Sequence, residues 1–440
     1  MKLICCLLWV FFCLHLNFSV GQEINRNRLD SLFSGLEANN KFMGSVSVFR
    51  DGKEVYAKAV GFRDVEKKIL ADVHTQYRIG SITKTFTTVL IMKAVEKGKL
   101  SLDDKLSKWF PQIGNADDIT IRLMLRHRSG IGNFTNDSGY IKWNVQQTSK
   151  DELLKRIIRA GNTFKPGEKF EYSNSGFVLL GWIIEDVYKM PYRKALEKFI
   201  IKPGGLKETA IGSRIEIEKN QSRSYHYFDG WKLNPEADMS VPFSAGNLIS
   251  TPADINRFAH QLINERFISR KSLDTMQNFK EGVGLGMFMI PFNDKKAFGH
   301  TGGIDAFQSV YAYFPKEKLG YALTSNGTNY VINDISIKVL SAAFGFDFTL
   351  PVYHNRNLTA VALDSYTGTY ASSQVPLKIS FFKKGDTLMS QATGQMAFPL
   401  VAYENHIFRA DQFGIEVQFD LSRKNMILRQ SGAAILFLKQ

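Results

Sequence analysis

Tyr77-Arg78-Ile79-Gly80-Ser81-Ile82-Thr83-Lys84 runs directly into Thr85 to Lys97, a long and largely apolar segment followed by Gly98. A glycine just past the last apolar residue is a common stop signal for a helix. The stretch therefore predicts a helix with Ser81 at its mouth. Three residues is nearly one helical turn, so the Ser81 hydroxyl and the Lys84 amine share a face. At a helix N-terminus, unpaired N–H groups and the macrodipole favour a developing negative charge. A neutral hydroxyl is a poor nucleophile without a base beside it. A lysine serves as that base only where burial or nearby cations free its amine. S-x-x-K also arises by chance, with the serine as a helix cap and the lysine in water. Taken alone, the stretch leaves both readings open.

Upstream, Gly44 to Arg50 and Glu54 to Val60 alternate like strands around Asp51-Gly52, a strong hairpin signal. From about residue 100 to 280 the periodicity is mainly helical, punctuated at Pro111, Pro166-Gly167, Pro203-Gly204-Gly205 and Pro252. Strand-like alternation returns in Gly284 to Ile290, Phe307 to Phe314 and Gly320 to Ser325, and Asp334 to Phe344 reads as a closing helix. Strands at both ends with helices between them predict an α/β (α+β) domain. Its mixed antiparallel sheet is assembled from distant segments and flanked by a helical subdomain. After residue 350 the character changes. Leu377 to Phe382, His406 to Ala410, Ile415 to Leu421, Met426 to Gln430 and Ala434 to Lys439 are short alternating runs separated by turns. They predict a small antiparallel barrel or sandwich. The division expected is 22–350 for the first domain, 351–362 for a linker and 363–440 for the β module.

Composition bounds the function. The 440 residues are 44% hydrophobic and 22% charged, which excludes disordered, collagen-like and coiled-coil classes. The three cysteines, Cys5, Cys6 and Cys13, all lie in the first residues. There Lys2, an apolar run from Leu3 to Leu16 and small residues at Ser19 and Gly21 have the layout of a secretory signal. Residues 1–21 are therefore expected to direct export and to be removed, which leaves no cysteine. A disulfide framework, a thiol nucleophile and a thiolate metal site all drop out. No membrane-spanning segment is expected after that removal. The net charge of +14 is scattered, with acids between the basic residues and no long like-charged run. Nucleic acid is not an expected partner. The histidines outside the leader (74, 127, 226, 260, 300, 354 and 406) never recur at helical spacing, so no local metal site is expected. Nor is any cofactor: neither a Walker loop nor a dinucleotide-binding glycine fingerprint occurs. The G-x-S-x-G elbow of α/β-hydrolases is also missing.

Two further segments bear on Ser81. Tyr172-Ser173-Asn174 precedes the helical run Gly176 to Tyr188. A tyrosine there can accept a proton from Ser81 if cations stabilise its phenolate, and an asparagine amide can hold a substrate carbonyl. His300-Thr301-Gly302-Gly303 falls between strand-like stretches, and its glycines allow close approach to the backbone. A structural tyrosine turn and an ordinary Gly-Gly connection are the plain alternatives. His127, within Arg126-His127-Arg128, reads as a structural residue.

The order S-x-x-K, Y-x-N, H-T-G resembles the serine β-lactamase-related hydrolases, which include class C β-lactamases, D-Ala-D-Ala carboxypeptidases, D-aminopeptidases and esterases. Leu100 to Asp104, Ile119 to Ile131 and Ala245 to Thr251 are similar to segments of that family. The region with Tyr366-Thr367-Gly368-Thr369-Tyr370 resembles the small barrel appended to many of its members. The resemblance implies Ser81 as the acylated nucleophile, Lys84 and Tyr172 as shared general base, and Asn174 as orienting the substrate amide. It implies that His300, Thr301, Gly302 and Gly303 face the substrate, with the N–H groups of Ser81 and Gly303 as oxyanion hole. His300 departs from the lysine usual in β-lactamases and supplies no permanent charge for a carboxylate. The expected substrate is thus a small D-amino-acid peptide, amide or ester, including fragments derived from cell walls. The alternative is a non-catalytic penicillin-binding or cell-wall-binding protein that keeps the fold. Oligomeric state is left open.

Overall fold

Asp51 and Gly52 both take positive φ, 50° and 77°, as a two-residue hairpin turn requires. They join β1 (Phe42–Arg50) to β2 (Lys53–Val60), the hairpin expected from the D-G signal. In this computed structural model, which describes residues 24–228, 230–353, 360–430 and 433–440, that hairpin belongs to a six-stranded sheet. The other members are β3 (Phe288–Phe292), β4 (Lys295–Ile304), β5 (Phe307–Phe314) and β6 (Leu319–Thr328). The order is β3-β4-β5-β6-β1-β2, antiparallel at every pairing. β1 is thereby central and is buried from Phe42 to Phe49. The expected leader at residues 1–21 and positions 354–359 of the expected linker lie outside the described residues.

Five helices position the site: α1 (Arg26–Ala38), α2 (Thr83–Glu96), α3 (Asn174–Tyr188), α4 (Pro252–Ile263) and α5 (Ile332–Ala343). Side chains alternate across a strand, so β5 serves two cores. Val310, Ala312 and Phe314 pack with Leu29 and Phe33 of α1 and Ile335 and Val339 of α5. Tyr311 and Tyr313 face the opposite way, into a larger core with Phe86, Leu90, Phe177, Ile183 and Phe258. α2 runs through that larger core and is buried from Thr83 to Met92. A helix apolar on all sides needs such a central position. It continues directly from a 3₁₀ segment, Gly80–Ile82, and Gly98 closes it at φ 63°.

Two expectations are corrected. His300 to Gly303 lie inside β4 rather than between strands. Glycine is a poor strand former, so the alternation signal failed where the backbone most needs to approach a neighbour. The strand expected at Gly284 to Ile290 starts only at Phe288.

The C-terminal strands, β7 (Gly368–Ala371), β8 (Lys378–Lys384), β9 (Thr387–Ala392), β10 (Phe398–Glu404), β11 (Ile407–Ala410), β12 (Ile415–Asp420), β13 (Asn425–Gln430) and β14 (Ala433–Lys439), form a closed barrel. Each pairs with the next, and β14 returns to β7. Closure leaves no unpaired sheet edge and selects the barrel over the sandwich. Tyr370, Phe381, Phe408, Phe419 and Phe437 fill its interior. Lys41 pairs with Asp411 at 2.8 Å, linking the start of the sheet to the barrel.

Arg78, three residues before Ser81, holds the loops around the site together. Its guanidinium donates to the carbonyls of Ala237 and Ser213 and pairs with Asp305 at 2.7 Å and Glu236 at 2.9 Å. The Arg78 and Asp305 side chains are each only 2% exposed. Arg78→Met leaves Asp305 buried without its counter-charge and is predicted to cost about 3–5 kcal/mol of stability. Chemical denaturation of parent and variant measures this; a loss below about 1 kcal/mol, as for a surface pair, would contradict it.

Candidate active site

The Lys84 amine is fully buried. Its Nζ lies 2.9 Å from Ser81 Oγ, 2.8 Å from Asn174 Oδ1 and 2.7 Å from the Ala245 carbonyl oxygen. Two of these partners can only accept. A neutral amine satisfies both with its two N–H bonds and turns its lone pair to the third, the Ser81 hydroxyl. Burial supports the neutral form and holds Lys84 well below the ordinary lysine range. The 3₁₀ segment Gly80–Ile82, continuing into α2, places Ser81 and Lys84 together, α3 begins with Asn174, and the 3₁₀ segment Phe243–Ala245 brings the carbonyl.

Tyr172 covers this group, its ring centre 5.0 Å from Lys84 Nζ. Burial pushes its phenol up, partly opposed by the Ser81 hydroxyl. The two groups are therefore near neighbours, although Tyr172 Oη makes no hydrogen bond of regular geometry. With Lys84 neutral, the cation that a phenolate would need is missing, and Tyr172 is held as a phenol. Asn174 Nδ2 points to Asn133 Oδ1 at 3.3 Å and Thr135 Oγ1 at 3.4 Å. Of these residues, Asn133 had no signal in the sequence.

β4 supplies the opposite wall. His300 is 2% exposed, and its Nδ1 lies 2.5 Å from the Thr301 carbonyl oxygen. The ring therefore donates from Nδ1 and leaves a bare Nε2. Burial, reinforced by Lys84, pushes His300 down to about 3, so it is uncharged. Its side chain lies beside Tyr172, ring centres 6.4 Å apart, and is not part of the lining of the cavity onto which Ser81 opens. Thr301 is exposed. Gly302 faces the protein rather than the cavity, since a Cβ there would stand 2.0 Å from the Ile79 carbonyl oxygen. Gly80, at φ 48°, packs on the backbone of Gly303, where a Cβ would stand 2.9 Å from the Gly303 nitrogen, whereas a Cβ on Gly303 would meet nothing within 4 Å.

Ser81, Asn174 and Gly303 open onto a cavity of about 490 Å³. Phe134, Thr135, Tyr140 and Asn144 line one side, and Tyr225, Pro242 and Phe307 another. Among the described residues no group of His, Cys, Asp and Glu is placed to hold a metal ion. No helix among them is long and apolar enough to cross a membrane.

The model of the beta-lactamase family matches residues 29–336, well over half of the chain. The chain belongs to the beta-lactamase family. It is 29% identical over 306 residues to protein flp of Staphylococcus aureus (strain MRSA252), covering 64% of this chain and 59% of flp. It is 28% identical over 255 residues to the putative penicillin-binding protein PbpX of Bacillus subtilis (strain 168), covering 57% and 63%. The chain thus spans less than two thirds of the length of these relatives. Among solved structures, the D-amino acid amidase of Ochrobactrum anthropi SV3, complexed with L-phenylalanine amide, aligns with TM-score 0.64 and 25% identity over 72% of this chain and 97% of its own. The octameric penicillin-binding protein homologue of Pyrococcus abyssi aligns with TM-score 0.68 and 26% identity over 94% and 100%. The second alignment includes the barrel.

The glycine pair gives a discriminating prediction. Gly302→Ala forces β4 away from Ile79 and is expected to lower kcat/KM on the order of 10²-fold, the effect of a displacement of about 1 Å, together with a lower melting temperature. Gly303→Ala, with free space at its Cβ, is expected to melt like the parent. Equal melting of the two variants, measured by calorimetry, would contradict this assignment of the strand.

Proposed function

We propose that this chain is a serine hydrolase that forms an acyl-enzyme at Ser81 with amides, peptides or esters of D-amino acids. The observation that carries the reading is the set of partners around Lys84: two acceptors and one hydroxyl, the pattern a neutral amine completes by accepting the Ser81 proton. Ser81 Oγ attacks the substrate carbonyl as its proton passes to Lys84. The N–H groups of Ser81 and Gly303 hold the oxyanion, a contribution of about 3–4 kcal/mol per donor. Tyr172, kept protonated by burial, donates its proton to the leaving nitrogen or oxygen and recovers one from the Lys84 ammonium. Water then releases the acyl group by the reverse relay. This division of labour, with Lys84 as base and Tyr172 as acid, replaces the shared general base expected from the sequence.

The cavity's electrostatics support amides and esters over carboxylate-bearing substrates. None of the described residues lining it is a lysine or arginine, and its one acidic side chain, Asp305, is paired with Arg78. A C-terminal carboxylate, or that of a β-lactam, meets no lysine or arginine there; the one ionisable base among the described lining residues is the exposed His226. The similarity to D-amino acid amidases agrees with this preference. Export of the enzyme is part of the proposal and rests on residues 1–21.

Labelling with a fluorescent phosphonate is expected in the parent and absent in Ser81→Ala. Across D-aminoacyl amides, short esters, D-Ala-D-Ala peptides and a chromogenic cephalosporin, kcat/KM should be highest for the amides and esters. A preference for the carboxylate-bearing pair would overturn the substrate assignment. Labelling at Ser81 without turnover of any of the four would favour the non-catalytic binding protein. In the pH profile, the base must be unprotonated, so kcat/KM falls with unit slope as pH drops through the depressed Lys84 value and is flat above it. A rate that rises until about pH 10, the ordinary lysine range, would show that Lys84 is not depressed.

A further inference from the structure

His127 grips Tyr172 from three sides. The N–H of Glu171 donates to the His127 carbonyl oxygen at 2.9 Å. The N–H of Ser173 donates to His127 Nδ1 at 3.2 Å. Between these two anchors the imidazole lies on the Tyr172 ring, centroids 4.3 Å apart and planes 27° apart. The residues on either side of Tyr172 and its ring are thus all held by one residue.

Three unfavourable features accompany this arrangement. His127 sits at φ 54°, a left-handed conformation uncommon for residues other than glycine, although histidine adopts it more often than most. It is 3% exposed. Because Nδ1 accepts from Ser173, the ring proton is on Nε2, which is buried without a partner. Asparagine or glycine would suit the backbone better, and a phenylalanine would fill the space without an orphaned N–H. What those residues lack is the combination of a flat ring and an acceptor at Nδ1.

We propose, on the reading of Tyr172 given above, that His127 is the positioning residue that aims the Tyr172 hydroxyl at the leaving group. The titratable groups facing it are Lys84, His300 and Tyr172 itself. Burial, with Lys84 and His300 nearby, holds His127 well below the ordinary histidine range, so the ring stays uncharged and does not draw Tyr172 toward the phenolate.

The test exploits leaving-group chemistry. A D-aminoacyl amide needs a proton delivered as its nitrogen departs; the p-nitrophenyl ester of the same acyl group does not. Misplacing Tyr172 therefore lowers the ratio of kcat/KM for amide over ester, whereas general damage to the site lowers both together. His127→Ala removes the two side-chain grips, the ring and the Nδ1 acceptor, and keeps the backbone carbonyl that holds Glu171. His127→Phe keeps the ring and His127→Asn keeps an acceptor while accepting the positive φ. In the full chain, His127→Ala is expected to lower the ratio on the order of 10²-fold, the size of a general-acid contribution, with the Phe and Asn variants in between. Tyr172→Phe should lower the ratio likewise, and adding His127→Ala to it should produce no further fall. If Tyr172→Phe leaves the ratio unchanged, the reading of Tyr172 fails. If it lowers the ratio and none of the three His127 variants does, the positioning role fails. Parallel loss on both substrates, or loss of the fold in all three, also overturns it, since His127 would then serve the scaffold alone.

Discussion

One amine buried among two carbonyl-type acceptors and a hydroxyl governs the rest of this molecule. Removing an ammonium from water costs several kcal/mol unless a counter-ion accompanies it, and no carboxylate is among the hydrogen-bond partners of Lys84. The charge is the part that gives way. The apolar α2 brings Lys84 into the larger core, and the starts of α2 and α3 converge on its Nζ. In the proposed mechanism, the reactivity of Ser81 is a consequence of that burial, rather than of anything in the serine itself.

The same low-charge environment extends outward. His300 is neutral because its ring is enclosed and its Nδ1 is committed to the Thr301 carbonyl. Asp305 is neutralised by Arg78, which simultaneously ties the strand leading to Ser81 to the turn between β4 and β5. Formal charges at the site are thus either suppressed or paired. In the proposed mechanism, transition-state charge is met by fixed dipoles and transferable protons, which act strongly where water is excluded.

Much of this was legible in the sequence where local chemistry decides local structure. The Asp51-Gly52 turn, the helix ending before Gly98 and the helical run Gly176 to Tyr188 follow from turn residues and apolar periodicity. The closure of β6 onto β1 was accessible only as a general expectation of distant pairing. β4 escaped because Gly299, Gly302 and Gly303 look unlike a strand; the close approaches of Gly299 to the Tyr311 carbonyl, of Gly302 to the Ile79 carbonyl and of Gly80 to the Gly303 backbone exist only in three dimensions. β7, β9 and β10 of the barrel were missed as well. β7 is only four residues long, and β10 contains Pro399. His127 was hidden differently. Within Arg126-His127-Arg128 it reads as a structural residue, and its contacts with residues 171 to 173 exist only in three dimensions. Asn133 and the Ala245 carbonyl carried no local signal because a backbone oxygen or a lone amide has none.

The neutrality of Lys84 can be observed without any substrate. Chain labelled with ¹⁵N and ¹³C at lysine, with Lys84 assigned by comparison with Lys84→Met, reports the side-chain Nζ and Cε shifts across a pH titration. Lys84 as a free amine at pH 7.5, while the exposed lysines remain ammonium, is the result expected. A Lys84 signal that stays in the ammonium position up to about pH 10 would contradict the central claim that burial makes this amine the base.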